Sequence, residues 1–376
     1  MKIEEIRDIC TGCTACANIC PKKCIEIKFD DEGFYYPFID HSQCIECKKC
    51  ESVCHCIEKR PCESQKYSYY GFVNDDAIRS KSSSGGAFYA LAQSVIKQGG
   101  NVYGAAFDYD DKLLKHMSSD DVGTEPLLKS KYTESFLGDI FSSVQKDIDS
   151  KRRVLFCGTP CQAAGLRHYV KDPDNLLIIC DFVCHGIPSS KLLCEHLQSI
   201  GYYDGLTEID FRPKEYGWTN KYFTLKKGKK KRTVPYNCDF FYQGFMTSNV
   251  FLRKSCYNCQ YRNTHYSDLT VADFWGWRNC EGVKNDERGL SLIVAHNQHG
   301  NAAVHSIENF NLYPIDNKYS EYAFANKDFS SALLLREKFY RLRKEEGFKK
   351  AAQKTFMCGW RKRYIKMLIK KLLKKY

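Results

Sequence analysis

The stretch Cys10-Thr-Gly-Cys13-Thr-Ala-Cys16-Ala-Asn-Ile-Cys20-Pro21 has a counterpart with the same cysteine spacing, Cys44-Ile-Glu-Cys47-Lys-Lys-Cys50-Glu-Ser-Val-Cys54. In each run, two residues separate the first three cysteines, and three residues precede the fourth. This spacing lets a tight loop present thiolates to three corners of a cubane iron–sulfur cluster. The eight cysteines therefore predict two 4Fe–4S clusters near the start of the sequence.

The spacing also predicts which cysteine binds which cluster. In bacterial two-cluster ferredoxins, the fourth cysteine of each run ligates the cluster of the other run. We therefore predict two ligand sets: Cys10, Cys13, Cys16 and Cys54 for one cluster, and Cys20, Cys44, Cys47 and Cys50 for the second. The second run lacks the proline that follows the first, so Cys56 is an alternative to Cys54, although the spacing favours Cys54. The surplus Cys24, Cys56 and Cys62 are expected to be buried free thiols.

Disulfide bonds and zinc are the alternative uses of these cysteines. Charged residues and then Cys10 come at once, so we predict no signal peptide and no oxidising compartment. Zinc sites usually consist of paired C-x2-C modules, not three ligands and a fourth at fixed spacing. The duplicated motif therefore favours iron–sulfur clusters over both alternatives.

The composition suits a globular protein of two or three domains, with 376 residues and 43% hydrophobic content. Eleven of the 21 cysteines lie in the first 62 residues, which indicates local metal chemistry. No apolar run approaches the length of a membrane-spanning helix, so we predict a cytoplasmic protein.

The patterning predicts an α+β protein in three parts: 1–64, a two-cluster ferredoxin domain; 65–345, an α/β domain; and 346–376, a basic amphipathic helix. Strands alternate with helices after residue 65, which predicts a parallel or mixed sheet covered on both faces. Ligands of such sheets bind beyond the carboxyl ends of the strands. Gly158-Thr159-Pro160-Cys161 and Cys184-His185-Gly186 each follow a predicted strand, so we expect both to lie at that edge.

Two further motifs are candidate binding sites. The loop Ser83-Ser84-Gly85-Gly86-Ala87 opens a predicted helix and suits a phosphate or pyrophosphate, although plain capping by Ser84 is the alternative. Cys256-x2-Cys259 is a metal-ligand pair that needs two partners, for which Cys161 and Cys184 are the candidates. A redox dithiol is the alternative for this pair.

The last part of the sequence carries much of the net charge of +12, because residues 361–376 contain eight basic and no acidic residues. Ile365, Leu368, Ile369 and Leu372 would form one apolar face of a helix. Such a helix suits the inner surface of an anionic membrane or an acidic partner, and docking on its own domain is the alternative. Nucleic-acid binding is not expected, since basic and aromatic residues are not interleaved elsewhere.

The motifs together resemble the coenzyme F420 hydrogenase/dehydrogenase beta-subunit family, with the ferredoxin unit fused in front. The resemblance runs in order from about residue 4 to residue 300 and is carried by Ser83-Ser-Gly-Gly, Ser130-Lys-Tyr, Gly158-Thr-Pro-Cys-Gln162, Cys184-His-Gly, Cys256-x2-Cys259 and Asp273-Phe-Trp-Gly276. It implies an FAD-binding domain with a third 4Fe–4S cluster, whose ligands would be Cys161, Cys184, Cys256 and Cys259.

The resemblance also implies roles for individual residues. Residues 83–87 would cradle the flavin phosphates, with Gly158, Thr159 and Pro160 as further cofactor-binding residues. Lys131 would lie near the flavin ring or the substrate charge, where a cation favours the reduced anionic ring. His185 would donate a hydrogen bond to cluster sulfur, and proton relay is its alternative role.

We therefore predict an FAD-dependent iron–sulfur oxidoreductase that connects ferredoxin, or another one-electron redox protein, to a small-molecule two-electron carrier or substrate. The first alternative is an electron-transfer subunit without its own substrate, docked to a partner enzyme or a membrane surface, with a surface-polysaccharide pathway as one setting. The second alternative is a zinc-binding interaction protein.

Overall fold

The structure is a computed structural model that describes residues 2–62, 66–324 and 329–357, together with Ile365 and Ile369. The first 62 residues contain α1 (Ala15–Ile19), β1 (Ile25–Phe29), β2 (Tyr35–Ile39) and α2 (Lys49–Ser52). Residues 66–200 contain β3 (Tyr67–Val73), α3 (Asp76–Lys81), α4 (Ala87–Lys97), β4 (Asn101–Asp108), β5 (Leu113–Ser118), α5 (Ser119–Val122), β6 (Ser135–Phe136), α6 (Ile140–Asp149), β7 (Val154–Gly158), α7 (Pro160–Tyr169), β8 (Leu177–Phe182) and α8 (Ser190–Ser199). The remainder contains β9 (Leu206–Asp210), β10 (Tyr222–Lys227), β11 (Lys230–Pro235), α9 (Phe240–Tyr242), α10 (Lys254–Tyr257), β12 (Leu269–Asp273), β13 (Ser291–Ala295), α11 (Gln298–His305), β14 (Phe310–Ile315), α12 (Lys318–Glu321), α13 (Leu333–Glu346) and α14 (Phe348–Thr355).

A mixed nine-stranded sheet forms the centre of the fold, with the strand order β14-β3-β13-β12-β8-β7-β4-β5-β6. The strands β12, β8, β7 and β4 are mutually parallel, whereas β3, β13 and β14 pair antiparallel. The α+β class and the mixed sheet predicted from the sequence are therefore confirmed. The central strands β7 and β8 are almost entirely buried, as expected for strands covered on both faces.

The N-terminal unit packs directly against the helices of the large sheet. Asn18 in α1 donates through Nδ2 to the carbonyl oxygen of Gly138 at 2.8 Å, and its Oδ1 accepts from the amide of Ser142 at 3.1 Å. Gly165 in α7 leaves room for the contact, because a Cβ there would lie 2.8 Å from Cys13 Sγ. The cysteine-rich unit is thus close to the carboxyl-edge helix α7.

A second core lies beside the sheet, where the antiparallel strands β9–β11 and the helices α8, α13 and α14 meet. It contains Phe223, Phe241, Phe251 and Phe339, each of them fully buried. The antiparallel arrangement expected for residues 206–236 is present. Cys256, in α10, packs against this core.

Of the helix predicted over residues 346–376, the structure describes the first part as α14. Helix α14 packs into the second core through Phe348, Ala351 and Ala352, and Met357 is also buried. The basic stretch that follows lies outside the described residues, except for Ile365 and Ile369, which are helical and exposed. Within the described part of the chain, the helices are all too short or too polar to cross a bilayer.

Candidate functional site

The first predicted ligand set lies around one enclosed cavity. Cys10, Cys13, Cys16 and Cys54 all line it, and the rest of its wall is largely apolar, formed by Ile3, Ile6, Ile27 and Pro37 among others. The loop turns inward through left-handed backbone at Gly12 (φ 72°) and Thr14 (φ 60°). The structure therefore brings Cys54 to the three cysteines of the first run, in a space shielded from water.

The cysteine pKa values in this cavity are raised, as expected for thiols that need a bound metal to stay deprotonated. Burial raises the pKa of Cys10 and of Cys16, and neighbouring thiols raise both pKa values further. Thiolates, not thiols, bind metals, so a bound cluster would supply the positive charge that keeps these groups deprotonated. The donor set and its apolar wall fit a 4Fe–4S cluster.

Cys54 and Cys56 both line this cavity, so Cys54 as the fourth ligand stays a prediction. A hydrogen bond from Cys56 lowers the pKa of Cys54 to about 7, although burial opposes that effect. Cys56 Sγ also lies 3.4 Å from the carbonyl oxygen of Ile9, to which it donates. Cys56 therefore has the position of a hydrogen-bond donor beside the ligand.

The second predicted set repeats the loop conformation of the first. Lys48, between Cys47 and Cys50, has φ 58° and ψ 8°, and Thr14 at the equivalent place has φ 60° and ψ 1°. Each of these residues precedes a short helix that leads to the fourth cysteine of its run. The sequence repeat is thus also a repeat of backbone structure.

The second set is more exposed than the first. Cys47 is exposed, and Cys44 and Cys50 are half-buried. Cys24, surplus in the sequence, lies beside this set, with its Sγ 3.4 Å from Cys20 Sγ. Burial, and then Cys20 and Cys44, raise the pKa of Cys24 to about 11, so Cys24 is a protonated neighbour of the set.

The third predicted set meets at the carboxyl edge of the large sheet. Cys161 opens α7 directly after β7, Cys184 follows β8, and Cys256 lies in α10, three residues before Cys259. Burial, and then Cys259, raise the pKa of Cys161 to about 12. Burial, and then Cys256, Cys161 and Cys259, raise the pKa of Cys184. The thiols of the set thus lie close enough to affect one another, which is the arrangement expected of four ligands to one centre.

The polar groups around the third set point at its sulfur atoms. The amide of Gly186 donates to Cys184 Sγ at 3.4 Å, and Thr159 Oγ1 lies 3.1 Å from Cys161 Sγ. His185 is held by a 2.7 Å hydrogen bond between its Nε2 and Asn249 Oδ1, and its ring contacts Phe245 edge-on. The Nε2 of His185 is thus engaged with Asn249, and the predicted hydrogen bond of His185 to cluster sulfur stays a prediction.

A buried ion pair that could not be foreseen from the sequence lies close to both the first and the third cysteine sets. Arg253 and Glu134 are 1% and 3% exposed and lie 2.5 Å apart. Arg253 also donates through Nε to the carbonyl oxygen of Cys10 at 2.8 Å and through Nη2 to that of Tyr35 at 2.6 Å. Its charge lowers the pKa of Cys10, Cys161 and Cys256, against the larger effect of burial. One guanidinium therefore acts on both cysteine sets.

A chain of polar side chains forms a second link between these sets. Thr11 Oγ1 shares a 3.1 Å hydrogen bond with His55 Nε2, and His55 Nδ1 is hydrogen-bonded to the hydroxyl of Tyr261. Tyr261 in turn packs with Cys161 and Cys259. Burial lowers the pKa of His55 to about 3, so this histidine is neutral. Three buried side chains, Thr11, His55 and Tyr261, therefore link the first set to the third.

The predicted phosphate loop is used largely for packing. Ser84 Oγ donates to the carbonyl oxygen of Leu290, and a Cβ on Gly85 would lie 2.2 Å from the carbonyl oxygen of Gly71. The cap of α4 is Gly86, not Ser84 as the capping alternative proposed, and the amide of Ala87 donates to Ser291 Oγ at 3.3 Å. Ser83 is half-buried and accepts a 3.0 Å hydrogen bond from Ser130 Oγ.

Lys131 directly follows Ser130, the hydrogen-bond partner of Ser83. Its Nζ donates to the carbonyl oxygens of Pro126, at 2.9 Å, and Leu128, and burial lowers its pKa to about 7. Gly158, Thr159 and Pro160 together start α7, because Thr159 and Gln162 form a capping box. The half-buried hydroxyl of Ser83 could donate to a flavin phosphate, whereas the Nζ of Lys131 and the amide of Ala87 already donate to protein oxygens. Ser84 and Gly85 shape the loop.

Comparison with known proteins gives one family. Residues 151–317 match the family model for the C-terminal region of the beta subunit in coenzyme F420 hydrogenase/dehydrogenase. This confirms the resemblance over that segment, which includes all four cysteines of the third set. No curated protein matches the chain. A chain of the F420-reducing [NiFe] hydrogenase complex from Methanosarcina barkeri is similar at 14% identity and a TM-score of 0.48, covering 75% of this chain and 94% of that one.

Proposed function

We propose that this chain, whose residues 151–317 match the C-terminal region of the coenzyme F420 hydrogenase/dehydrogenase beta-subunit family, is an iron–sulfur flavoprotein oxidoreductase. It would hold three 4Fe–4S clusters and FAD, and it would connect a one-electron redox protein to a two-electron carrier or substrate. The observation that carries the proposal is that the four cysteines of the first set line one cavity, and that those of the third set lie close enough to affect one another. When bound, the clusters exchange single electrons and the flavin exchanges two.

The residues of the chain have distinct tasks in this proposal. The twelve cysteines bind the clusters, and the apolar wall around the first set excludes water. Arg253 balances the negative charge of the first and third sets. Ser83 would donate to an anionic group of the flavin, and Lys131 would exchange a carbonyl acceptor for it. Gly186 and Thr159 orient the sulfur atoms of the third set.

Flavin binding is the direct test of the enzyme proposal. Protein purified under anaerobic conditions is expected to carry FAD or to bind added FAD, and substrate or dithionite should bleach its absorbance. A protein with neither bound flavin nor affinity for added FAD would contradict the enzyme proposal and leave the electron-transfer subunit. Zinc without iron in the same protein would identify the zinc-binding alternative.

The partner redox protein is expected to dock at the exposed second cysteine set. Four lysines are exposed around it, Lys22, Lys23, Lys48 and Lys49, against one exposed acidic residue between Cys44 and Cys47, Glu46; Ile45 is 57% exposed. A basic rim around an exposed redox site suits an acidic partner, because charge complementarity speeds encounter. Ferredoxins are the partner class that we propose for this surface.

Reversing two charges of this rim should slow transfer to an acidic ferredoxin. Replacing Lys48 and Lys49 by glutamate is expected to lower the bimolecular rate about tenfold at low ionic strength, with the difference shrinking as salt screens the charges. The matched control reverses Lys349 and Lys350, which are exposed on α14. Stopped-flow reduction would measure both rates. Equal rates in the two variants would rule out docking at the rim.

A docked electron-transfer subunit is the second candidate function. It is favoured by Leu333, Leu334 and Leu335, which are 41%, 79% and 37% exposed at the start of α13, and by the exposed Ile365 and Ile369. These apolar side chains would suit a partner protein or an anionic membrane surface.

Deleting residues 358–376 should separate the two candidates. Met357 is fully buried, so the cut after it spares the second core. We expect unchanged thermal stability and unchanged reduction of dyes, with loss of binding to vesicles that contain anionic lipid. Vesicle binding as strong as that of the full chain would show that the basic tail is not a membrane anchor.

A further inference from the structure

We propose that Lys214 is a positioning residue for the flavin phosphate, because its ammonium group holds the backbone beside Ser83 and places a positive charge there. This inference rests on the proposed function, in which the hydroxyl of Ser83 donates to an anionic group of the flavin. Lys214 lies in the segment that follows β9, outside the loop of residues 83–87 and outside the three cysteine sets. It is thus not one of the residues that the flavin-binding motifs predict.

The Nζ of Lys214 joins three separate segments of the chain. It donates to the carbonyl oxygens of Arg79 at 2.7 Å, Ser84 at 2.5 Å and Arg288 at 2.7 Å. These acceptors lie in α3, in the loop that precedes α4 and in the loop before β13. Because an ammonium group has three N–H donors, the three contacts use all of them. Lys214 therefore acts on a ligand through the loop and through its charge, not by a hydrogen bond of its own.

The backbone of Ser84 is also held from the segment before β13. Ser84 Oγ donates to the carbonyl oxygen of Leu290, and a Cβ on Gly289 would lie 2.9 Å from the carbonyl oxygen of Ser84. Arg79, which is 1% exposed, fixes Gly289 in turn, because its Nε donates to the carbonyl oxygen of Gly289 at 2.9 Å. Ser84 is therefore fixed by its side chain and, through Lys214, by its carbonyl group.

The hydroxyl of Ser83 is the group that this arrangement places. Ser83 directly precedes Ser84, so the fixed backbone of Ser84 limits the directions in which the Ser83 hydroxyl can point. Its oxygen accepts a 3.0 Å hydrogen bond from Ser130 Oγ, which leaves its own hydrogen for another acceptor. A donor that is already positioned binds its ligand more tightly, since less conformational freedom is lost on binding.

The charge of Lys214 has no carboxylate at ion-pair distance within the described part of the chain. The charged groups with the largest effects on its pKa are three cations and one carboxylate: Arg79, Asp273, Arg212 and Lys129. Each of the cations is already paired with a carboxylate, Arg79 with Asp286, Arg212 with Asp273 and Lys129 with Asp210. Burial, and then Arg79, lower the pKa of Lys214 to about 7. A phosphate bound at Ser83 would offset this surplus of positive charge.

The competing arrangement is a clamp that stabilises the fold and has no part in binding. Removal of Lys214 would then lower the stability of the protein and weaken the binding of every flavin alike. A role toward the phosphate requires instead that FAD be affected more than riboflavin, which carries no phosphate. A comparison of the two ligands therefore distinguishes the two roles.

The test measures the dissociation constants of FAD and of riboflavin by equilibrium dialysis, for the full chain with its iron–sulfur clusters reconstituted. Lys214→Met is expected to weaken FAD binding at least roughly tenfold, the usual effect of losing one hydrogen bond to a charged group, and to leave riboflavin binding nearly unchanged. Lys227→Met is the matched control, because Lys227 Nζ also donates to a backbone carbonyl oxygen, that of Gly201, at an exposed place.

Two results would overturn the role of Lys214 alone: FAD affinity equal to that of the control, or equal losses of FAD and riboflavin affinity. If Lys214→Met does not fold, Lys214→Gln, which keeps two N–H donors but no charge, is measured in the same way. A folded Lys214→Gln protein with the FAD affinity of the unsubstituted chain overturns the proposal. An unsubstituted chain without affinity for FAD would instead contradict the proposed function, and the role of Lys214 with it.

Discussion

Replacing Arg253 by methionine is expected to destabilise the protein by about 3–5 kcal/mol, the usual cost of leaving one member of a buried ion pair without its partner. Glu134 would remain buried with its carboxylate uncompensated, and the carbonyl oxygens of Cys10 and Tyr35 would lose their donors. Because a domain is stable by only about 5–15 kcal/mol, the loss should lower the denaturant midpoint clearly. The same variant should lose iron, since Arg253 connects the first and third cysteine sets.

Two further variants show whether the charge or the packing is responsible. The double variant Arg253→Met with Glu134→Gln removes both charges and is expected to recover part of the stability, because no uncompensated carboxylate then remains buried. The exposed pair Lys231–Glu215 is the control, and Lys231→Met should cost less than about 1 kcal/mol. An Arg253→Met protein as stable as this control would show that the buried pair does not hold the two units together.

Replacing Cys161 by serine is expected to remove about four iron atoms per chain, because one whole 4Fe–4S cluster depends on the four cysteines of the third set. The first two sets do not include Cys161, so their iron should stay. Reduction of the flavin by a two-electron donor should persist, while transfer from the flavin to an iron–sulfur acceptor should stop.

Cys157 provides the matched control for this experiment. It lies four residues earlier, at the end of β7, opposite Cys180 in the neighbouring strand and outside all three sets. Cys157→Ser is therefore expected to keep the full iron content. Equal iron loss in the two variants would mean that the effect is general instability rather than loss of a ligand.

The cysteine sets could be predicted from the sequence because local spacing encodes them. The runs from Cys10 and from Cys44 each form one loop and one short helix, so residues close in sequence determine most of the geometry. Cys161 and Cys184 could be placed at one edge because both follow buried strands of an alternating pattern. The strand–helix alternation likewise predicted the mixed sheet.

The remaining features depend on contacts between distant residues. Arg253 and Glu134 are 119 positions apart, and neither lies in a recognisable motif. Lys214 and Ser84 are 130 positions apart, so only the folded chain brings the ammonium group to its acceptor. The role of Ser84 could not be foreseen either, because its acceptor is the carbonyl oxygen of Leu290, 206 positions later in the sequence.

The number of iron–sulfur clusters tests the central claim most directly. Iron and acid-labile sulfide should be measured in anaerobically purified protein, together with electron paramagnetic resonance of the reduced state. Three clusters predict about twelve iron and twelve sulfide per chain, with signals from interacting 4Fe–4S centres. About eight iron atoms per chain, with the thiols of Cys161, Cys184, Cys256 and Cys259 open to alkylation, would contradict the third cluster and with it the proposed route through the molecule.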